Sequence, residues 1–383
     1  MTPPLSYAAT KCVLEHMEAL KRLHFSSRCA SIASFEKSVP LRLRFLQFEQ
    51  QSTKINDLEF MVIYGSEEDD YGDHVNKLEF GDIPATRKFQ NPKVYIEFSL
   101  DGDRSARRLV FGITQVHVAA RELNTILLGG RKQIIVENLE IGLFGNQVLR
   151  LPLRLKLKVK NFDAGVTDFM HFFLLLDSSS FPLKSLKING ATLESLHLPI
   201  IQNAENLTIG SWEGEIASDN NWITYFKSDR HKVIVIDGGW VPVETILKVM
   251  EYWLKKGKAV GSCFKVCESE ANVVAMLEKV AKRFGGNVVE MEEEETDERL
   301  LPNTRYISIP MNLDSELIVY GIREDSYHDH FYNGKFIFKV MPIGSSSREL
   351  DNFHGETHEV TEQVFEKLRA ENAQMEKDHR VIF

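Results

Sequence analysis

Cysteine is scarce: there are four in 383 residues, Cys12, Cys29, Cys263 and Cys267, and no pair has CxxC spacing. This argues against a disulfide framework and fits free, packed thiols in a reducing compartment. Long apolar runs are missing too. The densest, Phe172 to Leu176 with Phe169 and Met170 before it, falls far short of the ~20 residues a membrane helix needs. Met1 to Lys21 has no apolar core of a secretory leader, so the expected location is cytoplasmic and/or nuclear, with no membrane partner. Basic excess is absent: 46 Lys plus Arg face 55 Asp plus Glu, net −9. That balance disfavours a nonspecific nucleic-acid binder.

Catalytic and cofactor signatures are equally sparse. Neither G-x-x-x-x-G-K-[ST] nor G-x-G-x-x-G occurs, and Gly129-Gly130-Arg131-Lys132 lacks phosphate-loop spacing. There is no G-x-S-x-G elbow. The close histidine pairs are His328/His330 and His354/His358; Gly355 weakens a helix at the second, and no third ligand stands nearby. The acidic stretch Ser66 to Asp73 lacks the fixed spacing of a calcium loop. No enzyme, metal or cofactor is expected.

What is present is ordinary globular material, 43% hydrophobic and 26% charged, long enough to bury a large core unaided. Ser6 can cap a first helix carrying Ala9, Val13, Leu14, Met17 and Leu20 on one face. Further helices are expected over Ala19 to Ser27 and Ala30 to Lys37, ended by Val39-Pro40. Three short helices bury too little to stand alone; they need the rest of the chain or a partner.

Alternation predicts strands over 41–48, 58–64, 94–100, 109–116 and 133–141, and a helix over 117–128. The cleanest alternation is Leu149 to Val159, read as one strand. Its leucines would line one face, with Arg150, Arg154, Lys156 and Lys158 on the other and Lys160 following. That basic face is the candidate contact for an acidic partner, with a solvated outer face as the alternative. A nucleic-acid contact is less favoured, because no aromatic residue interleaves with the charges.

From Phe181 short strands recur at Leu186, Leu207, Val235 and Phe264, in steps of 21, 28 and 29 residues. Helices are expected between them over 242–256 and 269–284, with Gly257 and Gly285 as caps. Strand–helix units of this length read as degenerate leucine-rich-repeat-like units, or as a non-repeating α/β domain. A hairpin over 304–322, a strand over 335–341 and a charged tail helix over 358–380 complete the pattern. The expected class is α+β or α/β: a helical module over 1–40, a β-rich region over 41–180, a repeat-like region over 181–345 and a polar tail over 346–383.

Pro4-Leu5, Val13-Leu14, Met17 and Leu23-His24-Phe25-Ser26-Ser27-Arg28-Cys29 resemble a divergent F-box. In that motif a proline start precedes an I/V-L-x-x-L helix and a later L-S-x-x-C segment. Ser31 to Phe35 stand where a tryptophan often follows. Leu5-Ser6-Tyr7 through Leu43, Gly129 to Leu139, Leu149 to Pro152, Ser178 to Leu186 and Met341 to Ser346 resemble the nematode F-box C family, with its associated domain of unknown function. This similarity spans most of residues 4–347. It implies a noncatalytic substrate receptor of a cullin-based ubiquitin ligase. Pro4, Leu5, Val13, Leu14, Met17, Leu20 and Leu23 would meet the ligase adaptor and, through it, the cullin, while the body would hold an unknown client. The alternative is a standalone interaction or structural protein whose F-box has decayed into an internal packing element.

Overall fold

The computed structural model describes residues 6–65, 93–100, 103–110, 115–143, 147–165, 169–189, 192–210, 226, 230–237, 241–290, 300–301, 305–323 and 333–345. Pro4, Leu5, the acidic loop 66–73, the acidic run 291–298, both histidine pairs and the tail helix 358–380 lie outside them. The fold is α+β, and the chain divides into two compact units, Met1–Glu213 and Gly214–Phe383.

The first unit opens with three helices: α1 (Tyr7–His16), α2 (Ala19–Arg28) and α3 (Ala30–Ser38). Ser6 caps α1 by accepting from the Ala9 amide at 3.2 Å, as the sequence predicts. Glu18 caps α2 through the Lys21 amide at 2.9 Å. The strands are β1 (Leu41–Phe48), β2 (Ser52–Ile55), β3 (Leu58–Gly65), β4 (Lys93–Leu100), β5 (Asp103–Val110), β6 (Ile134–Ile141), β7 (Leu157–Ala164), β8 (Ser185–Asn189) and β9 (Asn206–Gly210). Between β5 and β6 lies α4 (Val116–Leu128), and between β8 and β9 the short turns α5 (Leu193–Leu196) and α6 (Pro199–Gln202). The sheet order is β5-β4-β3-β2-β1-β6-β7-β8-β9. From β5 to β1 the pairing is antiparallel; from β1 through β9 it is parallel.

The parallel strands share one six-residue pattern. It reads Leu43-Arg44-Phe45-Leu46-Gln47-Phe48, then Val136-Glu137-Asn138-Leu139-Glu140-Ile141 and Val159-Lys160-Asn161-Phe162-Asp163-Ala164. It continues as Leu183-Lys184-Ser185-Leu186-Lys187-Ile188 and Ala204-Glu205-Asn206-Leu207-Thr208-Ile209. The first, fourth and sixth positions are buried in all five. Two residues in succession outside the core interrupt strict alternation, and paired strands keep equal register through the step. Leu46, Leu139, Phe162, Leu186 and Leu207 stand in register as one apolar ladder. No unit could bury that face alone, so stacking supplies the core.

Two expectations are corrected here. The strand expected over 149–159 begins only at Leu157. Pro152 has no N–H to give a ladder, Leu153-Arg154 form a turn with Arg154 at φ 60°, and the Arg150 carbonyl accepts from Asn124 Nδ2 at 2.8 Å. Of the strand expected over 109–116, Leu109 and Val110 lie in β5, Val116 already belongs to α4, and 111–114 lie outside the described residues.

The second unit holds β10 (Val233–Ile236), α7 (Val243–Lys256), β11 (Cys263–Glu268), α8 (Glu270–Phe284), β12 (Asn287–Glu290), β13 (Leu300–Leu301), β14 (Arg305–Pro310), β15 (Ser315–Arg323) and β16 (Gly334–Pro342). Its order is β10-β11-β16-β15-β14-β12, with β13 also on β15. Among its described strands only β10–β11 is parallel; the other pairs are antiparallel, so the repeat-like rhythm stops at β11. Both expected helices form, ended by Gly257 at φ 78° and Gly285 at φ 71°. Trp253 from α7 packs edge-on to Phe264 and Phe338, whose rings stack 4.9 Å apart.

Candidate docking module

The residues read as adaptor contacts are divided by the fold. Leu14 is the buried residue of α1, 2% exposed, and is turned into the protein's own interior. Met17, Leu20 and Leu23 are half-buried. Val13 is 46% exposed, and so, beyond the original set, are Phe25 at 43% and Tyr7 at 71%. Tyr7 leans on Phe35 of α3, with ring centroids 4.7 Å apart. The module therefore keeps an apolar surface of its own while sinking Leu14.

It is fastened by buried charges that the sequence pattern does not single out. Arg22 of α2 is 2% exposed. Its Nε donates to Glu36 Oε1 at 2.6 Å. Its terminal nitrogens donate to the carbonyls of Glu36 (2.7 Å), Val39 (2.5 Å), Pro40 (2.8 Å) and, more weakly, Leu14 (3.3 Å). Arg131, beyond α4, donates to the same Glu36 Oε1 at 2.6 Å and to the Leu127 carbonyl at 3.0 Å. Both ion pairs have side chains at most 2% exposed. Burial pulls the Arg22 pKa down, against the pull of Glu36 upward.

Two guanidiniums and one carboxylate leave a surplus positive charge in the interior. The carbonyls that receive it come from the C-terminal ends of α1, α3 and α4. Those ends carry unpaired carbonyls and the negative end of each helix dipole, so three helix ends converge on two cations. Glu36 Oε2 is buried without a hydrogen-bond partner among the described residues.

A second fastening lies at the β2–β3 turn. Asn56, at φ 53° and buried, accepts the Arg44 and Phe45 amides on Oδ1 at 3.0 and 3.2 Å. Its Nδ2 donates to Glu18 Oε1 at 3.1 Å. The glycine pair 129–130 is structural: Gly130 takes φ 71°, and a Cβ on Gly129 would lie 2.4 Å from the Thr125 carbonyl. This turn lets the Lys132 amide reach the Lys37 carbonyl at 3.0 Å.

The proposed basic contact residues do not share a strand face. Arg150 and Arg154 lie before β7, and Arg154 is on the turn. Lys156 donates to the Leu174 carbonyl at 2.5 Å. Lys158 and Lys160 lie on β7, where Lys160 pairs with Glu137 at 2.8 Å. Their neighbours are a polar ladder rather than a basic field. Asn161 Nδ2 donates to Asn138 Oδ1 (2.8 Å), Asn138 Nδ2 to the Arg44 carbonyl (3.0 Å), and Gln47 Nε2 to Glu140 Oε1 (2.9 Å). Lys187 faces Asp163 at 3.7 Å. Burial, and then Asp163, push the Glu140 pKa up.

Among the described residues no group of three His, Cys, Asp or Glu side chains could hold a metal ion, and no helix is long and apolar enough to cross a membrane. Residues 115–269 match a family model described as a domain of unknown function, DUF3557. The match begins just before α4 and ends at Ser269, the cap of α8, so it contains β6 to β11. It covers less than half of the chain and leaves out the N-terminal helices. No curated protein and no solved structure matches the chain.

Proposed function

We propose that the chain is a noncatalytic recognition protein, the substrate-receptor subunit of a cullin-based ubiquitin ligase. In this reading α1–α3 dock on the ligase adaptor and the parallel-stranded body holds a client protein. The observation that carries it is the exposure of Val13, Phe25 and Tyr7 on a helical module that is otherwise firmly seated. Spaced apolar residues on a helix are what a partner's groove needs. The F-box-like spacing of the first forty residues supplies the adaptor's identity.

The test is affinity purification from cells with mass-spectrometric identification of partners. Adaptor and cullin should accompany the wild-type chain. They should be lost from Val13→Asp with Phe25→Asp, while urea unfolding of the pair matches wild type, because both sites are exposed. Recovery of no adaptor by the wild-type chain refutes the ligase reading. The burial of Leu14 favours a second reading, in which the helices serve only to pack the protein's own body and the chain acts as a standalone interaction protein. In that case the exposed-site pair changes no partner.

A further inference from the structure

The parallel strands β1 and β6–β9 turn the second, third and fifth positions of their shared pattern away from the core, and solvent reaches them. The side chains of Arg44, Glu137 and Lys160 are 51, 48 and 49% exposed, and those of Lys187 and Asp163 are 39 and 34% exposed. Charge on this face is sorted along the strands. Near the amino-terminal ends stand the cations Arg42, Arg44, Lys158, Lys160 and Lys184, against the acids Glu137 and Glu205. Register sets Arg42 level with Ile135, and Ile135 level with Lys158; the Lys184 amide donates to the Lys160 carbonyl at 2.9 Å, which brings those two side by side. A neutral row follows at the third positions, Asn138, Asn161, Ser185 and Asn206. Toward the carboxyl-terminal ends the sign reverses. Glu140 is level with Asp163, and Asp163 with Lys187, while Glu49 lies 3.4 Å from Gln47 Nε2, which also donates to Glu140. Burial, and then the repulsion of Asp163, raise the Glu140 pKa, so a cation brought by a partner would relieve this end.

A face that is basic at one end and acidic at the other fixes the direction of whatever lies on it. From Lys160 to Asp163 the strand rises about 10 Å, a distance an α-helix covers in about seven residues. A helix closes its own backbone hydrogen bonds, so it can rest on a sheet face that has no ladder to give. Acids in its first turns and bases in its last also suit its own dipole. Such a helix runs parallel to the strands, its acids over Lys160 and Lys184 and its bases over Glu140 and Asp163. A second copy could meet the face base-to-acid about a two-fold axis, but each copy carries a net charge of −9, which opposes that pairing. We propose that this outward face is the client-docking surface, and that it takes a client helix with an acidic first half and a basic second half, laid along β6–β8. This rests on the reading of the body as the client-binding part.

The probe is a synthetic helical peptide with glutamates in its first turns and lysines in its last, the two groups centred about seven residues apart, titrated into the full chain at low salt. An all-glutamate and an all-lysine peptide of the same length are the controls. The bipolar peptide should bind about tenfold or more tightly than either control and weaken as salt rises. Zero-length carbodiimide coupling should join its glutamates to Lys158, Lys160 or Lys184, and its lysines to Glu140 or Asp163. Lys160→Glu with Lys184→Glu should cost about tenfold in affinity and turn preference to the all-lysine peptide, with hydrogen exchange across β6–β8 as in wild type. Glu140→Gln with Asp163→Asn, which keeps side-chain shape, should cancel the advantage of the bipolar peptide over the all-glutamate one. The proposal is overturned if the bipolar peptide does not bind, if a single-sign peptide binds as tightly, if coupling falls on other residues, or if neither pair of substitutions alters the preference. A dimer in sedimentation velocity that the bipolar peptide dissociates assigns the face to a second copy, and also overturns it. No adaptor is present in this assay, so failure here and failure of adaptor capture are separate results.

Discussion

Glu36→Gln isolates the charge at the junction while keeping side-chain shape and helix propensity. In the native protein Glu36 Oε1 lies 2.6 Å from a nitrogen of Arg22 and 2.6 Å from one of Arg131. Each contact has a gross attraction of roughly 6 kcal/mol at an effective dielectric of about 20. Much of that offsets desolvation, so the net loss is smaller. Removing one member of a buried ion network leaves unpaired charge behind and costs about 3–5 kcal/mol. Here it would leave two guanidiniums held only by carbonyls and a neutral amide.

The cheapest relief is local: α1–α3 lift from the sheet while the strands stay paired. Native-state hydrogen exchange is therefore the assay, and it avoids assigning one melting temperature to a chain of two units. Amides of 7–38 that exchange through this opening should do so roughly two to four orders of magnitude faster, since about 1.4 kcal/mol is tenfold. Amides of β6 to β9 should be nearly unchanged. Acceleration of less than about tenfold in α1–α3 would show that apolar contacts such as Leu14, rather than the ion network, seat the module.

Arg131→Met should cost less than Arg22→Met, because it leaves a neutral Arg22–Glu36 pair and frees one carbonyl rather than four; urea denaturation of both variants checks the order. Leu186→Ala, in the middle of the apolar ladder, should destabilise the first unit by about 2–5 kcal/mol, and a loss below about 1 kcal/mol would contradict a packed stack. Gly210→Ala would bring a Cβ within 1.8 Å of Asn189 Oδ1, at about 1–3 kcal/mol. Asn189→Ala should rescue it, and no rescue would place the strain elsewhere. The raised pKa of Glu140 means the folded state holds its proton more tightly than the unfolded chain does. Stability from this group therefore falls as pH climbs from the ordinary glutamate range, near about 4.3, through the folded value, and is flat above it. Glu140→Gln should flatten that segment of the stability–pH curve; an unaltered slope would refute the assignment.

Much of the architecture was legible because it rests on local periodicity. The boundaries of α1–α4, β1, β6, α7 and α8 follow from apolar spacing, Ser6, Pro40 and the cap glycines. The same rule failed at Leu149 to Val159, where perfect alternation met Pro152 and a left-handed Arg154. Steps taken from Leu186 onward miss the start of the repeat, which lies earlier in the chain. Counted between ladder residues, Leu139 to Phe162, Leu186 and Leu207, they are 23, 24 and 21. The outward position before three of these four is asparagine, at Asn138, Asn161 and Asn206, with Ser185 at the other. The junction was illegible for a different reason. Arg22 and Glu36 lie in short helices with the charge content of solvent-facing surfaces, and nothing within a few residues marks burial. Their partner Arg131 is 95 residues from Glu36, and only the closed fold brings it there.

Because the helices are clamped to the strands at both the Glu18–Asn56 contact and the Arg22–Glu36–Arg131 cluster, the N-terminal segment behaves as a bracket rather than a tether. Whatever grips its outer surface is set at one angle and one reach relative to the rungs beneath. Under the proposed reading, adaptor and client would be held in one fixed alignment, and inserting slack between Ser38 and Leu41 would scramble it without removing a single contact residue.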